Sequence, residues 1–121
     1  MKTIICDIDG TILRYNAGGH DAIANEEAEL LPRVKERFKA WENAGHRIII
    51  MTGRRESVRD ITEATLVDLG IPFDTLLMGH ADTGRILIND VGQRGNCKAH
   101  AISLERDVGM IDNEQFEKVG L

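Results

Sequence analysis

Two short apolar runs separated by a helical pattern constrain the fold of this chain most. Residues 3–8 (TIICDI) and 47–51 (RIIIM) are rich in β-branched and apolar side chains, which is typical of buried strands. Between them, apolar residues recur at spacings of three and four, which predicts a helix with one buried face. A strand, a helix and a strand in this order predict a parallel pair joined by a right-handed crossover. The helical positions are Leu31, Val34, Phe38 and Trp41, with Glu26 and Glu27 in the first turn and Gly45 after the end.

The same pattern continues along the chain. A second helix is predicted between residues 57 and 69, and further strands at 74–78, 86–88 and 100–104, before a short C-terminal helix. Alternating strands and helices predict an α/β fold with a three-layer, doubly wound, Rossmann-like parallel sheet. A length of 121 residues suits one domain, residues 1–121, with no cap domain.

Polar groups follow four of the predicted strands at the point where each strand ends. Ligands of doubly wound sheets bind beyond these carboxyl ends, so the four groups are expected to meet at one edge. Each motif alone is common in ordinary turns, but their shared position favours a functional site. The groups are Asp7 and Asp9, then Thr52, Gly53 and Arg54, then Gly79 and His80, and finally Asn89 and Asp90.

Acidic residues at such an edge suit phosphoryl transfer. A hard cation such as Mg²⁺ prefers carboxylate oxygens, and Asp7 and Asp90 are the expected ligands. The cation would offset the repulsion between the carboxylates. Asp7 is then placed to attack phosphorus, and Asp9 to exchange a proton with the leaving oxygen and the hydrolytic water.

Three further residues are expected to hold the phosphate. Gly10 allows a sharp turn that directs backbone N–H groups at an anion. The Thr52 hydroxyl and the Gly53 N–H are placed to donate hydrogen bonds to phosphoryl oxygens. These three groups therefore predict a phosphate-binding cradle around the acids.

The DIDGT motif, the strand that ends in Thr52 and the Ile-Asn-Asp at 88–90 together resemble the haloacid dehalogenase (HAD) superfamily of phosphatases. The resemblance implies that Asp7 is the nucleophile and Asp9 the general acid and base. It also implies that the backbone carbonyl of Asp9 joins the side chains of Asp7 and Asp90 around Mg²⁺, and that Thr52 binds the phosphoryl group.

The chain departs from the HAD pattern in two places. The family supplies a lysine after the third strand, and the segment LMGHADTGR contains none. His80 occupies that place and is the expected phosphate-binding substitute, with Arg85, Arg54 and the more distant Lys98 as alternatives. Arg54 is also an expected substrate contact. The second acid that often follows Asp90 is missing, which leaves a non-catalytic phosphate- or metal-binding domain as an alternative function.

The intervals between the motifs are too short to hold a cap domain, so the chain resembles capless HAD members. The loop over residues 11–25 is the expected local lid, with Arg14, Tyr15 and His20 near the substrate, and a second copy of the chain is the expected partner that completes the site. We predict a Mg²⁺-dependent phosphomonoesterase for a small phosphorylated metabolite such as a sugar phosphate. The alternative is a capless polynucleotide 3′-phosphatase.

Composition bears on the partners and the compartment. The net charge of -5 argues against nucleic-acid binding, which usually requires a basic face. No apolar stretch approaches a membrane span or a secretory signal, and two isolated cysteines do not make a disulfide framework. A cytoplasmic location with no membrane partner is therefore expected.

Overall fold

The structure is a computed structural model that describes residues 1–16, 19, 23, 27–80 and 83–121. It contains three parallel strands, a 3₁₀ turn and three helices within the described residues. In chain order these are β1 (Thr3–Cys6), α1 (Val34–Asn43), β2 (Arg47–Met51), the 3₁₀ turn Glu56–Val58, α2 (Arg59–Asp68), β3 (Thr75–Leu77) and α3 (Glu114–Lys118).

The sheet has the order β1-β2-β3, and both strand pairs are parallel. Ile4 lies beside Ile48, and Ile50 beside Leu76, so the three strands end at one edge. Each crossover contains a helix, as a parallel sheet requires. The prediction of an α/β, Rossmann-like fold with a parallel sheet is confirmed, and no cap domain is visible in the part of the chain that the structure describes.

Helix α1 begins later than the sequence pattern predicts. Residues 27–33 are not helical, so the predicted start at Glu27 is wrong, while Glu26 lies outside the described residues. Pro32 explains the difference, because a residue that precedes proline is disfavoured in the helical conformation. The end of the helix is confirmed, since Gly45 follows it with a φ of 80°.

One apolar core joins the sheet to the helices. Phe38 and Trp41 of α1 lie with ring centroids 4.9 Å apart, and Trp41 reaches Phe116 of α3 at 6.1 Å. The C-terminal segment is also tied to the chain just before α1, because the Met110 N–H donates a 3.0 Å hydrogen bond to the Pro32 carbonyl. The fully buried side chains include Ile8, Ile12, Leu13, Val34, Phe38, Ile48, Ile50, Leu66 and Met110.

The fourth and fifth predicted strands are wrong. Residues 86–88 and 100–104 form neither strand nor helix, and Ile86 and Ile88 are 91% and 90% exposed. Apolar β-branched residues favour a strand, but a strand in a sheet also requires a neighbouring strand with which to exchange backbone hydrogen bonds. Among the described residues, β1 is therefore an edge strand of the sheet. None of the described helices is long and apolar enough to cross a membrane.

Candidate active site

The DIDGT motif forms a tight turn directly after β1. The carbonyl of the buried Ile8 accepts hydrogen bonds from the N–H groups of Thr11, Ile12 and Leu13, at 2.8 to 3.1 Å. Gly10 has a φ of 88°, a conformation that glycine adopts without strain. The buried Ile8 anchors the turn in the core, and the acids on both sides of it line one cavity.

The end of β2 is fixed against the segment that follows β3. The Thr52 N–H donates to the Leu77 carbonyl at 2.9 Å, and the Thr52 carbonyl accepts from the His80 N–H at 3.0 Å. The Thr52 side chain is buried, and its hydroxyl oxygen accepts a 3.1 Å hydrogen bond from the Arg54 N–H. Because that contact uses a lone pair, the hydroxyl proton remains for donation to another acceptor.

A cavity of about 270 Å³ lies between these two turns. Six of the eight predicted site residues line this cavity, which we call the active-site cavity. His80 and Asp90 do not line it, and both are exposed. The six residues are Asp7, Asp9, Gly10, Thr52, Gly53 and Arg54.

Arg54 is directed at Asp9 and not at open solvent. Its Nε and Nη2 atoms donate hydrogen bonds to the two carboxylate oxygens of Asp9, at 2.9 and 2.7 Å. Its Nη1 donates to the hydroxyl of Thr62 on α2 at 3.1 Å. The Arg54 side chain is 8% exposed and Thr62 is fully buried. Each guanidinium nitrogen therefore has a protein partner, and the sequence pattern did not indicate this arrangement.

Arg85 is the cation that lies beside Asp7. Its Nη1 is 3.5 Å from the Asp7 Oδ1. Burial and the Asp7 carboxylate raise the pKa of the neighbouring Cys6 thiol, and Arg85 opposes this shift. Of the substitutes considered for the family lysine, Arg85 alone forms an ion pair with Asp7 among the described residues. Lys98 instead pairs with Asp90.

The predicted metal ligands are not assembled in this structure. Asp90 lies in an exposed segment, and its side chain is 76% exposed. No group of three or more His, Cys, Asp or Glu side chains among the described residues is arranged to hold a metal ion. Asp7 and Asp9 offer oxygen ligands in the cavity, but Asp90 does not join them. The residues present therefore do not fit the complete magnesium site that the sequence predicts.

The sequence pattern also missed a third wall of the cavity, which the C-terminal segment supplies. Leu104 and Arg106 line the cavity from this side, and Leu104 ends the predicted fifth strand, which does not form. Tyr15, expected near the substrate, does line the cavity, whereas Arg14 does not. His20, from the same loop, lies outside the described residues. Contacts so distant in sequence leave no local signal.

The fold and the matches to known proteins place the chain in the HAD superfamily of phosphatases. The chain belongs to the family described as the polynucleotide kinase PNKP phosphatase domain, because the model of that family matches residues 1–86. None of the curated proteins compared with the chain matches it.

Solved structures with a similar fold include a chain of a Pnkp1/Rnl/Hen1 complex, with 30% identity and a TM-score of 0.58. The match covers 70% of this chain and 30% of that one. A chain of a Pnkp1/Rnl/Hen1 RNA repair complex is also 30% identical, with a TM-score of 0.57 and coverage of 69% and 27%. A structure from Vibrio cholerae, at 22% identity and a TM-score of 0.55, covers 74% of this chain and 80% of its own, and shows the fold alone.

Proposed function

We propose that Asp7 attacks the phosphorus of a phosphate monoester and forms an aspartyl phosphate. The bond between phosphorus and the leaving oxygen breaks, and Asp9 gives that oxygen a proton. Water then attacks the same phosphorus, Asp9 takes its proton, and Asp7 and inorganic phosphate are released. Splitting the displacement into two steps is what a covalent nucleophile provides.

The single observation that carries this proposal is the position of the two acids. Asp7 and Asp9 project into one cavity from a turn that the buried Ile8 anchors. Each oxygen of Asp9 has a lone pair beyond the one that Arg54 uses, so the ion pair leaves room for proton exchange.

Three groups in or beside the cavity suit the negative charge of the phosphoryl group. The Thr52 hydroxyl proton is available at the cavity wall, and the Gly53 backbone lines the same wall. Arg85, beside Asp7, supplies positive charge where the reacting phosphate would arrive. We infer that Arg85 takes the place that the sequence pattern suggested for His80.

The favoured substrate is a phosphorylated end of a polynucleotide, a 3′-phosphate above all. Membership in the family of the PNKP phosphatase domain supports this choice. The open, capless cavity also suits the end of a long chain. The net charge of -5 opposes extended contact with nucleic acid but does not prevent the binding of a single end.

A small phosphorylated metabolite, such as a sugar phosphate, is the second candidate substrate. The acidic charge balance supports it, because nucleic-acid binding usually requires a basic face and the net charge is -5. We propose that Mg²⁺ assists either substrate at a smaller site than the sequence predicts, held by Asp7 and Asp9 without Asp90, since this cation usually takes one or two carboxylates together with waters and substrate phosphate.

A substrate panel tests both proposals. The full chain is assayed on p-nitrophenyl phosphate, sugar phosphates and a 3′-phosphorylated oligonucleotide, with Mg²⁺ or with EDTA. Asp7→Asn should abolish hydrolysis, while the exposed Asp68→Asn on α2 serves as the matched control. Full activity of Asp7→Asn would refute the assignment of Asp7 as the nucleophile. The absence of turnover on every substrate would favour a non-catalytic binding domain.

A further inference from the structure

Arg106 is a cation of the active-site cavity that the proposed chemistry does not use. Its guanidinium carbon lies 4.4 Å from the centroid of the Tyr15 ring, and both side chains line the cavity. Its aliphatic stem passes over the DIDGT turn, where a Cβ at Gly10 would lie 3.0 Å from the Arg106 Cγ. Arg106 is thus held at the wall of the cavity by an aromatic face and by the backbone of the motif.

The backbone beside Arg106 is fixed to the same turn. The N–H of Asp107 donates to the Gly10 carbonyl at 2.9 Å, and the Asp107 carboxylate accepts from the Tyr15 N–H at 2.7 Å. Asp107 has a φ of 65°, which is unusual for a residue other than glycine. Two hydrogen bonds to the 10–15 segment therefore hold a strained residue and set where Arg106 lies.

Arg106 also differs from Arg54 and Arg85 in its ion pairing. Asp9 pairs with Arg54, and Asp7 pairs with Arg85. Arg106 forms no ion pair with any carboxylate in the part of the chain that the structure describes. Its neighbour Asp107 is directed at Tyr15 and Arg14. Arg106 is therefore the lining cation whose charge remains for a ligand.

We propose that Arg106 binds a second phosphate group of the substrate, next to the monoester that Asp7 attacks. A guanidinium presents paired N–H donors that match two phosphate oxygens, and stacking on Tyr15 keeps that fork in place. This inference rests on the proposed function and specifies its substrate class as an ester with two phosphates. The second phosphate is either the next phosphodiester of a polynucleotide or a second monoester of a small molecule.

Four substrates distinguish a phosphodiester from a second monoester as the group that Arg106 binds. Thymidine 3′-phosphate and p-nitrophenyl phosphate carry one phosphate each. A thymidine dinucleotide with a 3′-phosphate adds a phosphodiester, and fructose 1,6-bisphosphate adds a second monoester. The variants are Arg106→Gln, which keeps a polar side chain but removes the charge and the guanidinium, and Arg94→Gln, which removes an exposed arginine outside the cavity.

Arg106→Gln should lower kcat/KM about tenfold on a substrate with two phosphates, because it removes a charge-assisted contact. On the single-phosphate substrates it should change kcat/KM less than about twofold. Arg94→Gln should leave kcat/KM unchanged on all four substrates. A loss confined to the dinucleotide identifies the phosphodiester as the ligand, and a loss confined to fructose 1,6-bisphosphate identifies a second monoester. An equal loss on all substrates, or no loss on any, overturns the proposal.

A binding measurement keeps this test separate from the proposed function. If the wild-type chain hydrolyses none of the substrates, the proposed function fails. Calorimetric titration with thymidine 3′-monophosphate and thymidine 3′,5′-bisphosphate then tests Arg106 alone. Tighter binding of the bisphosphate by the wild type, lost in Arg106→Gln, supports the second-phosphate site. Equal binding of the two nucleotides by the wild type refutes it.

Discussion

The Arg54 guanidinium donates to both carboxylate oxygens of Asp9, at 2.9 and 2.7 Å, from a side chain that is 8% exposed. Bidentate contacts of this kind fix the plane of a carboxylate as well as its position. The third guanidinium nitrogen, Nη1, donates a 3.1 Å hydrogen bond to the hydroxyl of Thr62 on α2. The orientation of the proposed acid and base is thus set by a buried hydroxyl on a helix outside the cavity lining.

Thr62→Val should impair proton transfer selectively. The substitution keeps the shape of the side chain and removes the acceptor for Arg54, so Arg54 and with it Asp9 lose their fixed orientation. Alkyl phosphates have poor leaving groups that need a proton, whereas p-nitrophenyl phosphate does not. We expect kcat on an alkyl phosphate to fall about tenfold more than kcat on p-nitrophenyl phosphate.

Thr62→Ser is the matched control, because it retains the hydroxyl and should restore the ratio of the two rates. Thr62→Val should also lower the free energy of unfolding by about 1–3 kcal/mol, since it leaves a buried donor without its partner. If Thr62→Val slows both substrates by the same factor, Thr62 acts only on stability.

Gly10→Ala should damage the site more than the fold. The φ of 88° strains an L residue, and the new Cβ would lie 3.0 Å from the Arg106 Cγ. We expect a loss of about 1–3 kcal/mol in the free energy of unfolding, together with lower activity. Gly84→Ala is the control, because a Cβ there meets nothing within 4 Å and its φ is not positive. Equal activity of the two variants would contradict a special role for Gly10.

Phe38→Ala should be the most destabilising of these changes. Phe38 is fully buried and packs against Trp41, so its removal leaves a cavity that the core fills only in part. We expect the free energy of unfolding, measured by urea denaturation, to fall by about 3–5 kcal/mol. Val67→Ala removes a side chain from a residue of α2 that is 66% exposed, and should cost less than about 0.5 kcal/mol. A small effect of Phe38→Ala would show that the core is not packed as described.

The two cysteines should differ in reactivity. Burial raises the pKa of the Cys6 thiol, so Cys6 stays protonated at a pH where an ordinary thiol ionises. Cys97 is exposed. Native protein at pH 8 to 9 should therefore incorporate about one iodoacetamide per chain, at Cys97, and denatured protein about two. Peptide mass spectrometry locates the label, and fast native labelling of Cys6 would contradict its burial.

The same shift makes stability depend on pH in one direction. The unfolded thiol ionises near its ordinary pKa of about 8.5, and the folded one only at higher pH. Between these values the unfolded state binds fewer protons, so the free energy of unfolding falls as pH rises. In Cys6→Ala that part of the decline should be absent. If the free energy of unfolding declines identically in wild type and Cys6→Ala, the Cys6 thiol is not the cause of the decline.

The part of the fold that could be predicted from the sequence depends on local patterns. Four of the five residues of β2 and two of the four residues of β1 are buried or half-buried, and the polar groups after both strands meet in one cavity. Such signals lie within a few neighbouring residues. The strand predicted at 86–88 failed because its pairing depends on a distant edge, which an apolar run does not specify.

The missed parts of the site are contacts between distant segments. Arg106 reaches the DIDGT turn across most of the chain, and the hydrogen bonds of Asp107 and the Tyr15 ring fix this approach. Arg54 is predicted at the same sheet edge as Asp9, as a substrate contact, yet in the structure Asp9 and Thr62 bury and orient it. The spacing of the sequence indicates neither the ion pair with Asp9 nor the hydrogen bond to Thr62.

The covalent intermediate on Asp7 is the most direct test of the proposed function. The full chain is mixed with a 3′-phosphorylated oligonucleotide and Mg²⁺, quenched, and treated with borohydride, which reduces an aspartyl phosphate to homoserine. Peptide mass spectrometry should find homoserine at position 7 only when substrate is present, and the Asp7→Asn chain should neither form it nor hydrolyse the substrate. Turnover by the wild type without trapped homoserine, together with full activity of Asp7→Asn, would contradict the account.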